Sequence, residues 1–264
     1  MIAPVDAAPH KSRGMPIWGD KTKTGPRFLD GRVGFAIGDI HGRADLLSRM
    51  LDRLEQQFRA IDAPDPIVIF VGDYVDRGPD SKAVLDLITA GRPHGFERRF
   101  LSGNHEAAML KFLDEPLAGR AWLDHGGLQT LASYGVHPLP GAAAGAGEIA
   151  AAAAQLNALM PDAHRVFLRT LERYVVLGDY CFVHAGIDPK RALEHQREED
   201  LFWIRARFLD DKKPLPYRIV HGHTPVKAPF VDARRIGVDT GAYFSGTLTA
   251  VRLEGESVRF LEVR

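Results

Sequence analysis

Short apolar runs that end in polar, glycine-containing loops recur along the first hundred residues of this chain. Val33–Ile37 and Ile67–Val71 predict buried strands, because each is a short and predominantly apolar run. Between Leu46 and Phe58, apolar residues recur at steps of three and four, which indicates one apolar helix face. Arg99–Leu101 leads into a third such loop. This alternation predicts an α/β arrangement whose functional site lies beyond the C-terminal ends of the strands.

The middle of the chain has a helical pattern instead. Residues 106–134 and 149–173 predict helices, so we expect a helical insert over about residues 107–173. Strands are predicted again over Tyr174–Leu177, Tyr180–Val183, Arg218–Val220, Ile236–Val238, Thr247–Leu253 and Val258–Val263. We therefore expect two mixed sheets flanked by helices in one domain over residues 31–264, preceded by a loose tail over residues 1–30.

The composition of the chain limits the cellular compartments and the classes of binding partner that we expect. The 264 residues contain 34 Lys+Arg and 34 Asp+Glu, and this balance argues against a broad nucleic-acid surface. A single cysteine, Cys181, allows no disulfide within the chain and fits a reducing compartment. No signal peptide or membrane span is visible, so we expect a cytoplasmic protein that binds neither nucleic acid nor membranes. The sequence leaves the oligomeric state open.

Five short blocks carry Asp, Asn and His in a fixed order, and these residue types bind Mn, Fe, Zn or Mg. The blocks are Gly38–Gly42 (GDIHG), Gly72–Gly78 (GDYVDRG), Gly103–Glu106 (GNHE), His184–Gly186 (HAG) and Gly222–Pro225 (GHTP). Two metals about 3.5–4 Å apart can activate a water molecule and hold a phosphoryl group in one site. The blocks therefore predict hydrolysis of phosphoester or phosphoanhydride bonds.

In these blocks the chain resembles the phosphoprotein phosphatase branch of the calcineurin-like metallophosphoesterases, and the bacterial and phage type in particular. The likeness runs from about Arg32 to the C-terminus and includes the segment Asp239–Ala242 (DTGA). It implies a four-layer αββα sandwich of two mixed sheets. It also implies two divalent metal ions, with manganese as the first choice and iron, zinc or nickel as alternatives.

The resemblance also assigns the metal ligands. They are Asp39 and His41 at the first metal, Asp73 between both metals, and Asn104, His184 and His223 at the second. His221 is interpreted as a strand-end residue that supports the ligands, because Pro225 stands where distant relatives carry a further ligand histidine. Gly126 and Gly127 allow two interpretations: a close approach of the backbone to substrate, or a simple helix break.

Catalytic roles follow from the same resemblance. His105 would be the general acid, and Asp76 would accept a hydrogen bond from its imidazole. Arg77 and Arg205, together with Asn104, would bind the phosphate group. The attacking group would be a hydroxide that bridges the two metals, without a phosphoenzyme. Arg207, close to Arg205 in the WIRAR segment, is a weaker candidate for phosphate binding.

We expect from this resemblance a phosphatase of phosphoserine and phosphothreonine in a phosphoprotein or phosphopeptide partner, with phosphotyrosine as a further candidate substrate. The alternative is a hydrolase of dinucleoside polyphosphates such as diadenosine tetraphosphate, whose members usually depart from V-D-R-G in the second block. His41 and the segment Val75–Gly78 favour the phosphatase on that criterion. A scaffold without catalysis would be expected to lose ligands or the acid, and a nuclease would need a basic, aromatic-rich surface.

Overall fold

The computed structural model describes residues 25–60, 66–90 and 96–264, and two mixed β-sheets lie at its centre. The strands of the first sheet are β1 (Val33–Ile37), β2 (Ile67–Phe70), β3 (Glu97–Phe100), β9 (Leu248–Glu254) and β10 (Ser257–Val263). Their order is β10-β9-β1-β2-β3. β1, β2 and β3 run parallel, whereas β9 and β10 pair antiparallel with their neighbours. The C-terminal ends of β1–β3 therefore meet at one edge.

The second sheet is built from the later part of the chain. Its strands are β4 (Tyr174–Leu177), β5 (Tyr180–Val183), β6 (Arg218–His221), β7 (Phe230–Val231) and β8 (Arg235–Gly237). They lie in the order β4-β5-β6-β8-β7. β5, β6 and β8 are parallel, and the two outer strands are antiparallel to them.

Helices cover the outer face of each sheet. They are α1 (Ala44–Arg59), α2 (Ser81–Thr89), α3 (Asn104–Asp114), α4 (Gly127–Ser133), α5 (Ala146–Leu159), α6 (Asp162–Arg169), α7 (Glu198–Trp203), α8 (Ala206–Leu209) and α9 (Ala242–Ser245). Short 3₁₀ turns occur at Arg120–His125, Gly141–Ala143 and Leu193–His195. The long middle run of helices follows β3 and precedes β4.

Alternation along the strands explains the layers. Phe35 of β1 packs with the helices on the outer face of the first sheet, whereas its neighbour Ala36 faces the second sheet. In the same way, Phe182 of β5 faces the first sheet and Cys181 faces α7 and α8. Three apolar clusters therefore separate four layers: helices, sheet, sheet and helices. This confirms the predicted αββα sandwich.

Two sequence predictions were incomplete. β7, Phe230–Val231, was not predicted, because two residues at a sheet edge carry too little pattern to be recognised. The helical pattern of residues 106–134 is interrupted in the structure by the 3₁₀ turn Arg120–His125, and Gly126 ends that turn with a φ of 112°. Hydrophobic periodicity alone does not distinguish this broken arrangement from a continuous helix.

The residues just before β1 contact the body of the domain. Phe28 is buried between the sheets, and its backbone N–H donates to the carbonyl of Gly255 at 2.8 Å. Residues 1–24 lie outside the described residues, so the loose tail and the domain limits stay predictions. In the described ranges, no helix combines the length and the apolar character that crossing a bilayer would require.

Candidate metal and phosphate site

The six predicted metal ligands all follow C-terminal ends of parallel strands. Asp39 and His41 follow β1, Asp73 follows β2, Asn104 follows β3, His184 follows β5, and His223 follows β6. All six are buried. The two sheets face each other, and this edge of the sandwich therefore brings residues from five separate loops into one place.

Backbone strain is concentrated in these loops. Within the described ranges, the non-glycine residues with positive φ are His41 (46°), Asp73 (53°), Asp76 (74°), Arg77 (65°) and His223 (62°). Left-handed backbone is unfavourable for residues with a side chain and persists where the surroundings enforce it. Every one of these residues carries a predicted metal, proton or phosphate role.

Glu106 is one residue that enforces this geometry, and the sequence analysis gave it no role. Its Oε2 accepts hydrogen bonds from the backbone N–H groups of Asp73 and Gly103, both at 2.9 Å. Its Oε1 accepts from the N–H of Tyr74 at 2.8 Å and of Val75 at 3.3 Å. Burial, together with the nearby Asp73 carboxylate, raises the pKa of Glu106 to about 7. Glu106 therefore joins the second and third blocks.

At one side of Asp73, side-chain oxygen atoms and imidazole nitrogen atoms converge. His184 uses Nδ1 to donate to the carbonyl of Val71 at 2.9 Å, so its Nε2 carries a lone pair when the ring is neutral. That Nε2 lies 2.9 Å from Oδ1 of Asn104 and 3.4 Å from Oδ1 of Asp73. Nδ1 of His223 lies 2.9 Å from the same Asn104 oxygen. A cation between these atoms would remove their mutual repulsion.

The other side of Asp73 has a similar arrangement. Nδ1 of His41 donates to the carbonyl of Val75 at 2.8 Å, which leaves Nε2 facing Oδ2 of Asp73 at 3.4 Å. Nε2 of His105 lies 3.9 Å from the same oxygen. Burial lowers the pKa of His41 to about 3 and that of His223 to about 2, so both rings are neutral, as metal ligands must be.

Within the described ranges, two groups of side chains lie close enough together to hold a metal, His41–Asp73–His105 and Asp73–His184–His223, and Asp39 belongs to neither. Its Oδ2 accepts from the backbone N–H of His223 at 3.0 Å, and its buried Oδ1 has no donor among the described residues. Burial and the adjacent carboxylate of Asp239 raise the pKa of Asp39 well above its usual range. A Cβ on Gly222 would lie 1.9 Å from Oδ1, so only glycine fits there.

These observations fit divalent cations. Imidazole nitrogens and carboxylate oxygens face one another around Asp73, and the buried carboxylates of Asp39 and Asp239 lie close enough for Asp239 to raise the pKa of Asp39. The structure thus has two groups of His and Asp residues that could hold a metal, and Asp73 belongs to both. Oxygen and nitrogen ligands of this kind do not determine which metal binds.

His105 and Asp76 form a buried pair next to Asp73. Nδ1 of His105 lies 2.6 Å from Oδ2 of Asp76. Burial lowers the pKa of His105, but Asp73 and the hydrogen bond to Asp76 outweigh this effect, and the net change is upward. Burial also raises the pKa of Asp76. The imidazole is therefore held in a fixed orientation, with Nε2 directed toward Asp73.

The helical segment after β3 supplies two more partners to Asp76. Nε1 of Trp122 donates to Oδ2 of Asp76 at 2.7 Å, and the hydroxyl of Thr130 donates to Oδ1 at 2.6 Å. The sequence analysis assigned no role to Trp122 or to Thr130. Gly126 lies in the same segment, and a Cβ there would come within 2.7 Å of the backbone nitrogen of Arg77. Its closest approach is thus to the loop that carries Asp76 and Arg77.

Two arginines flank an open groove beside the site. Arg77 donates to the hydroxyl of Tyr243 at 3.4 Å and lies over that ring at 5.2 Å. Arg77, Arg205 and Asn104 line a groove of ≈ 440 Å³, which continues along α3. Arg207 does not line this groove and instead forms ion pairs with Asp200 and Asp188.

His221 faces away from the ligand atoms. Its Nδ1 donates to the carbonyl of Gly222 at 2.9 Å, and its Nε2 lies 3.2 Å from Nη1 of Arg235. It belongs to neither metal-binding group within the described ranges. These contacts agree with the interpretation of His221 as a residue that supports the strand end.

Comparison with known families decides the superfamily. The family model of the calcineurin-like phosphoesterases matches residues 35–254 of this chain, and this range includes all five blocks. The chain belongs to this family. As a metallophosphoesterase it is a hydrolase, and the family uses divalent metal ions. The resemblance recognised in the sequence is confirmed at this level.

The names of individual relatives specify a substrate class. The bis(5'-nucleosyl)-tetraphosphatase PrpE [asymmetrical] of Halalkalibacterium halodurans is 27% identical over 245 residues, which cover 82% of this chain and 88% of that protein. Among solved structures, that of a candidate diadenosine tetraphosphatase matches with a TM-score of 0.58 at 19% identity and covers 90% of this chain and 99% of that one. A cold-active protein tyrosine phosphatase matches with a TM-score of 0.57 at 17% identity, over 89% of this chain and 81% of that one. At such identities the structural matches show the fold alone.

The expected function as a phosphoprotein phosphatase is contradicted by the similarity to PrpE tetraphosphatases, and so is the expected phosphoprotein or phosphopeptide partner. The prediction relied on His41 and on the segment Val75–Gly78. The roles expected of Asp76 and Arg77 concern the leaving oxygen and the phosphoryl group, which phosphate monoesters and dinucleotides both contain. These residues therefore do not distinguish the two classes of substrate.

Proposed function

We propose that this protein hydrolyses dinucleoside polyphosphates such as diadenosine tetraphosphate by cleaving a phosphoanhydride bond. The observation that carries the proposal is a buried, acceptor-rich centre around Asp73 that opens into a groove of ≈ 440 Å³ lined by Arg77 and Arg205. A phosphoryl group alone needs far less room. The names of the relatives similar to this chain support the same substrate class.

The metal ligands proposed here are those of the sequence analysis. Asp39 and His41 would hold one divalent ion, and Asp73 would contact both. Asn104 and His184 would hold the other ion together with His223. Ions bound there would polarise phosphate oxygens and lower the pKa of a coordinated water molecule. We propose manganese as the first metal to test, with iron, zinc and nickel as alternatives.

The arginines would bind and orient the reacting phosphate. A guanidinium group presents two parallel N–H donors to two phosphate oxygens, so Arg77 and Arg205 could each grip the phosphoryl group from one side. The contact of Arg77 with Tyr243 restricts its side chain before substrate arrives. The amide of Asn104 lies at the mouth of the same groove.

His105 would supply a proton to the leaving oxygen. Because its Nδ1 faces Asp76, the transferable proton would be on Nε2, which faces the site. Asp76 would stabilise the protonated ring and keep its orientation. A nucleotide phosphate is a better leaving group than an alkoxide, so dinucleotide cleavage should depend less on this proton than cleavage of an alkyl phosphate.

Product analysis tests this function directly. Purified protein supplied with Mn²⁺ would be incubated with diadenosine tetraphosphate, and the products would be separated by ion-exchange chromatography. We expect asymmetric cleavage, with equal amounts of AMP and ATP in the first turnover. Two equivalents of ADP would contradict the asymmetry, and an intact dinucleotide at every metal tested would contradict the function.

A further inference from the structure

Trp203 is a large aromatic residue that the fold leaves half exposed at the mouth of the site. It ends α7 between Phe202 and Ile204, which are both buried, and its own exposure is 50%. Its indole ring lies 6.1 Å from the imidazole of His223, at 83° to it. An exposed indole beside a concave polar site is a common feature of ligand pockets.

Trp203 lines the same groove as several small side chains. These are Ala108 of α3, Ala118 in the connection that follows, and Ala121 of the 3₁₀ turn. Small side chains leave room in this groove of ≈ 440 Å³ for a flat ring beside the indole. Because every nucleobase has a π-face, an aromatic side chain in such a groove stacks on bases with little regard to their identity.

Positive charge continues along the same groove. Asn104 and Lys111 are both in its lining and lie seven residues apart on α3, which corresponds to about 10 Å along the helix axis. The groove therefore leads away from the ligand atoms toward a further cationic group, Lys111. A single phosphoryl group bound at Arg77 and Arg205 would not reach Lys111, whereas a chain of phosphates would.

We propose that this groove is a subsite for one nucleoside polyphosphate arm, in which the indole of Trp203 stacks on the nucleobase and Lys111 binds a phosphate of the same arm. This inference rests on the proposed function and specifies how its substrate class is selected. It also predicts that adenine and guanine dinucleotides are accepted alike, because stacking supplies the base contact.

The kinetic test compares substrates with and without bases. We would measure kcat/KM for diadenosine tetraphosphate and for inorganic tetraphosphate, which has no bases. Both would be measured with wild-type protein, Trp203→Ala and Trp203→Phe. The ratio of the two values should fall about 10- to 100-fold in Trp203→Ala, the usual contribution of one stacked base, and should recover largely in Trp203→Phe. Phe244→Ala removes an exposed aromatic residue outside this groove and should leave the ratio unchanged within about twofold.

A binding measurement separates the base from the phosphates. Calorimetric titration of chelator-treated protein with ATP and with inorganic triphosphate would give both dissociation constants. Trp203→Ala should weaken binding of ATP alone, whereas Lys111→Gln should weaken binding of both compounds by a similar factor. Circular dichroism would verify that each variant is folded.

The outcomes distinguish this inference from the proposed function. If wild-type protein cleaves diadenosine tetraphosphate but Trp203→Ala keeps the wild-type ratio, the subsite is wrong and the function stands. The subsite is also overturned if Phe244→Ala lowers the ratio of the two kcat/KM values as much as Trp203→Ala does. It is overturned as well if Lys111→Gln changes neither dissociation constant. If wild-type protein fails to cleave the dinucleotide, the function and the subsite that rests on it both fail.

Discussion

Trp122 and Asp76 are joined by a hydrogen bond of 2.7 Å between the indole Nε1 and the carboxylate Oδ2, the oxygen that also faces His105. Trp122 belongs to the segment predicted as a helical insert, whereas Asp76 belongs to the loop after β2. The insert therefore contacts the proposed catalytic pair directly. Through Asp76 it helps to orient His105, the proposed general acid, and it also covers the first sheet.

Thr130→Val tests this support with little change in shape. The substitution removes the hydroxyl that donates to Oδ1 of Asp76 at 2.6 Å and accepts from the Asp76 backbone N–H at 3.0 Å. The backbone N–H keeps the Ser81 hydroxyl as a partner at 2.9 Å, but Oδ1 of Asp76 loses its donor. Leaving this buried oxygen unpaired should lower the free energy of unfolding by about 1–3 kcal/mol and lower kcat more than it changes KM. Urea denaturation and steady-state kinetics would measure the two effects.

Thr170→Val is the matched control for this substitution. Thr170 is exposed after α6, and its hydroxyl bonds only to helix carbonyls. Its change should alter kcat by less than about twofold. An equal loss of kcat in both variants would indicate a general effect on folding and would remove the case for a specific role of Thr130.

His105→Asn should separate proton donation from binding. We expect turnover of alkyl phosphates to fall about 10²- to 10⁴-fold, the usual range for a positioned acid. Diadenosine tetraphosphate and nitrophenyl phosphate should lose less, because their leaving groups need less protonation. Parallel assays on the three substrates would check this order. A uniform loss across all of them would argue against His105 as the acid.

Asp73→Asn should impair metal loading more than any other single ligand substitution, because Asp73 belongs to both ligand groups. Elemental analysis should find about two ions per wild-type chain at saturating Mn²⁺ and a marked deficit in the variant. Metal that binds only the folded state also raises the melting temperature. A chelator should therefore lower the melting temperature of the wild type and change that of Asp73→Asn much less.

His221 gives a prediction for pH. Burial lowers the pKa of His221 to about 4, below its ordinary value of 6.5. Between these values the unfolded chain binds more protons than the native state, so stability rises with pH and is lost as pH falls from 6.5 toward 4. Protonation at Nε2 would also repel Arg235. In chelator-treated protein, His221→Leu should reduce the loss of unfolding free energy between pH 6.5 and pH 4 by on the order of 2 kcal/mol.

Metal content distinguishes this role of His221 from metal binding. His221→Leu should retain the manganese content of the wild type, since its imidazole nitrogens are engaged by Gly222 and Arg235. Loss of one ion per chain in this variant would mean that His221 is a ligand after all.

The sequence predicted the fold and the place of the candidate site where a strand and the polar residues after it are adjacent along the chain. Val33–Ile37 was predicted with the bounds that β1 has, and the polar residues directly after each apolar run proved to lie at one edge of the sandwich. The ligand roles themselves stay predictions, although the geometry around Asp73 fits them. Parallel strands explain this success, since their C-terminal ends must meet.

Contacts between distant segments could not be predicted in the same way. Asp239 lies beside Asp39, Thr130 binds Asp76 from 54 positions away, and Glu106 holds the backbone of Asp73. Nothing in the local sequence fixes which carboxylate or hydroxyl will face these partners. The left-handed backbone of residues such as Arg77 is likewise imposed by tertiary contacts, because its sequence preference is for other conformations.

Substrate class could not be predicted from the blocks either. His105 and Arg77 are suited to any phosphoryl group, so they identify the chemistry and leave the substrate undefined. Trp203 begins the WIRAR segment, which was interpreted through its arginines alone, and Lys111 belongs to none of the five blocks. In the proposed subsite, the side chains that would select the substrate are brought together only by the fold.

The most direct test of the account is a comparison of kcat/KM for diadenosine tetraphosphate with that for a panel of phosphoserine, phosphothreonine and phosphotyrosine peptides. One preparation of wild-type protein would be used at one Mn²⁺ concentration and one pH, with Asp73→Asn as the control for contaminating enzymes. The account predicts a higher value for the dinucleotide than for every peptide, and loss of both activities in the control. A higher value for any phosphopeptide would contradict it.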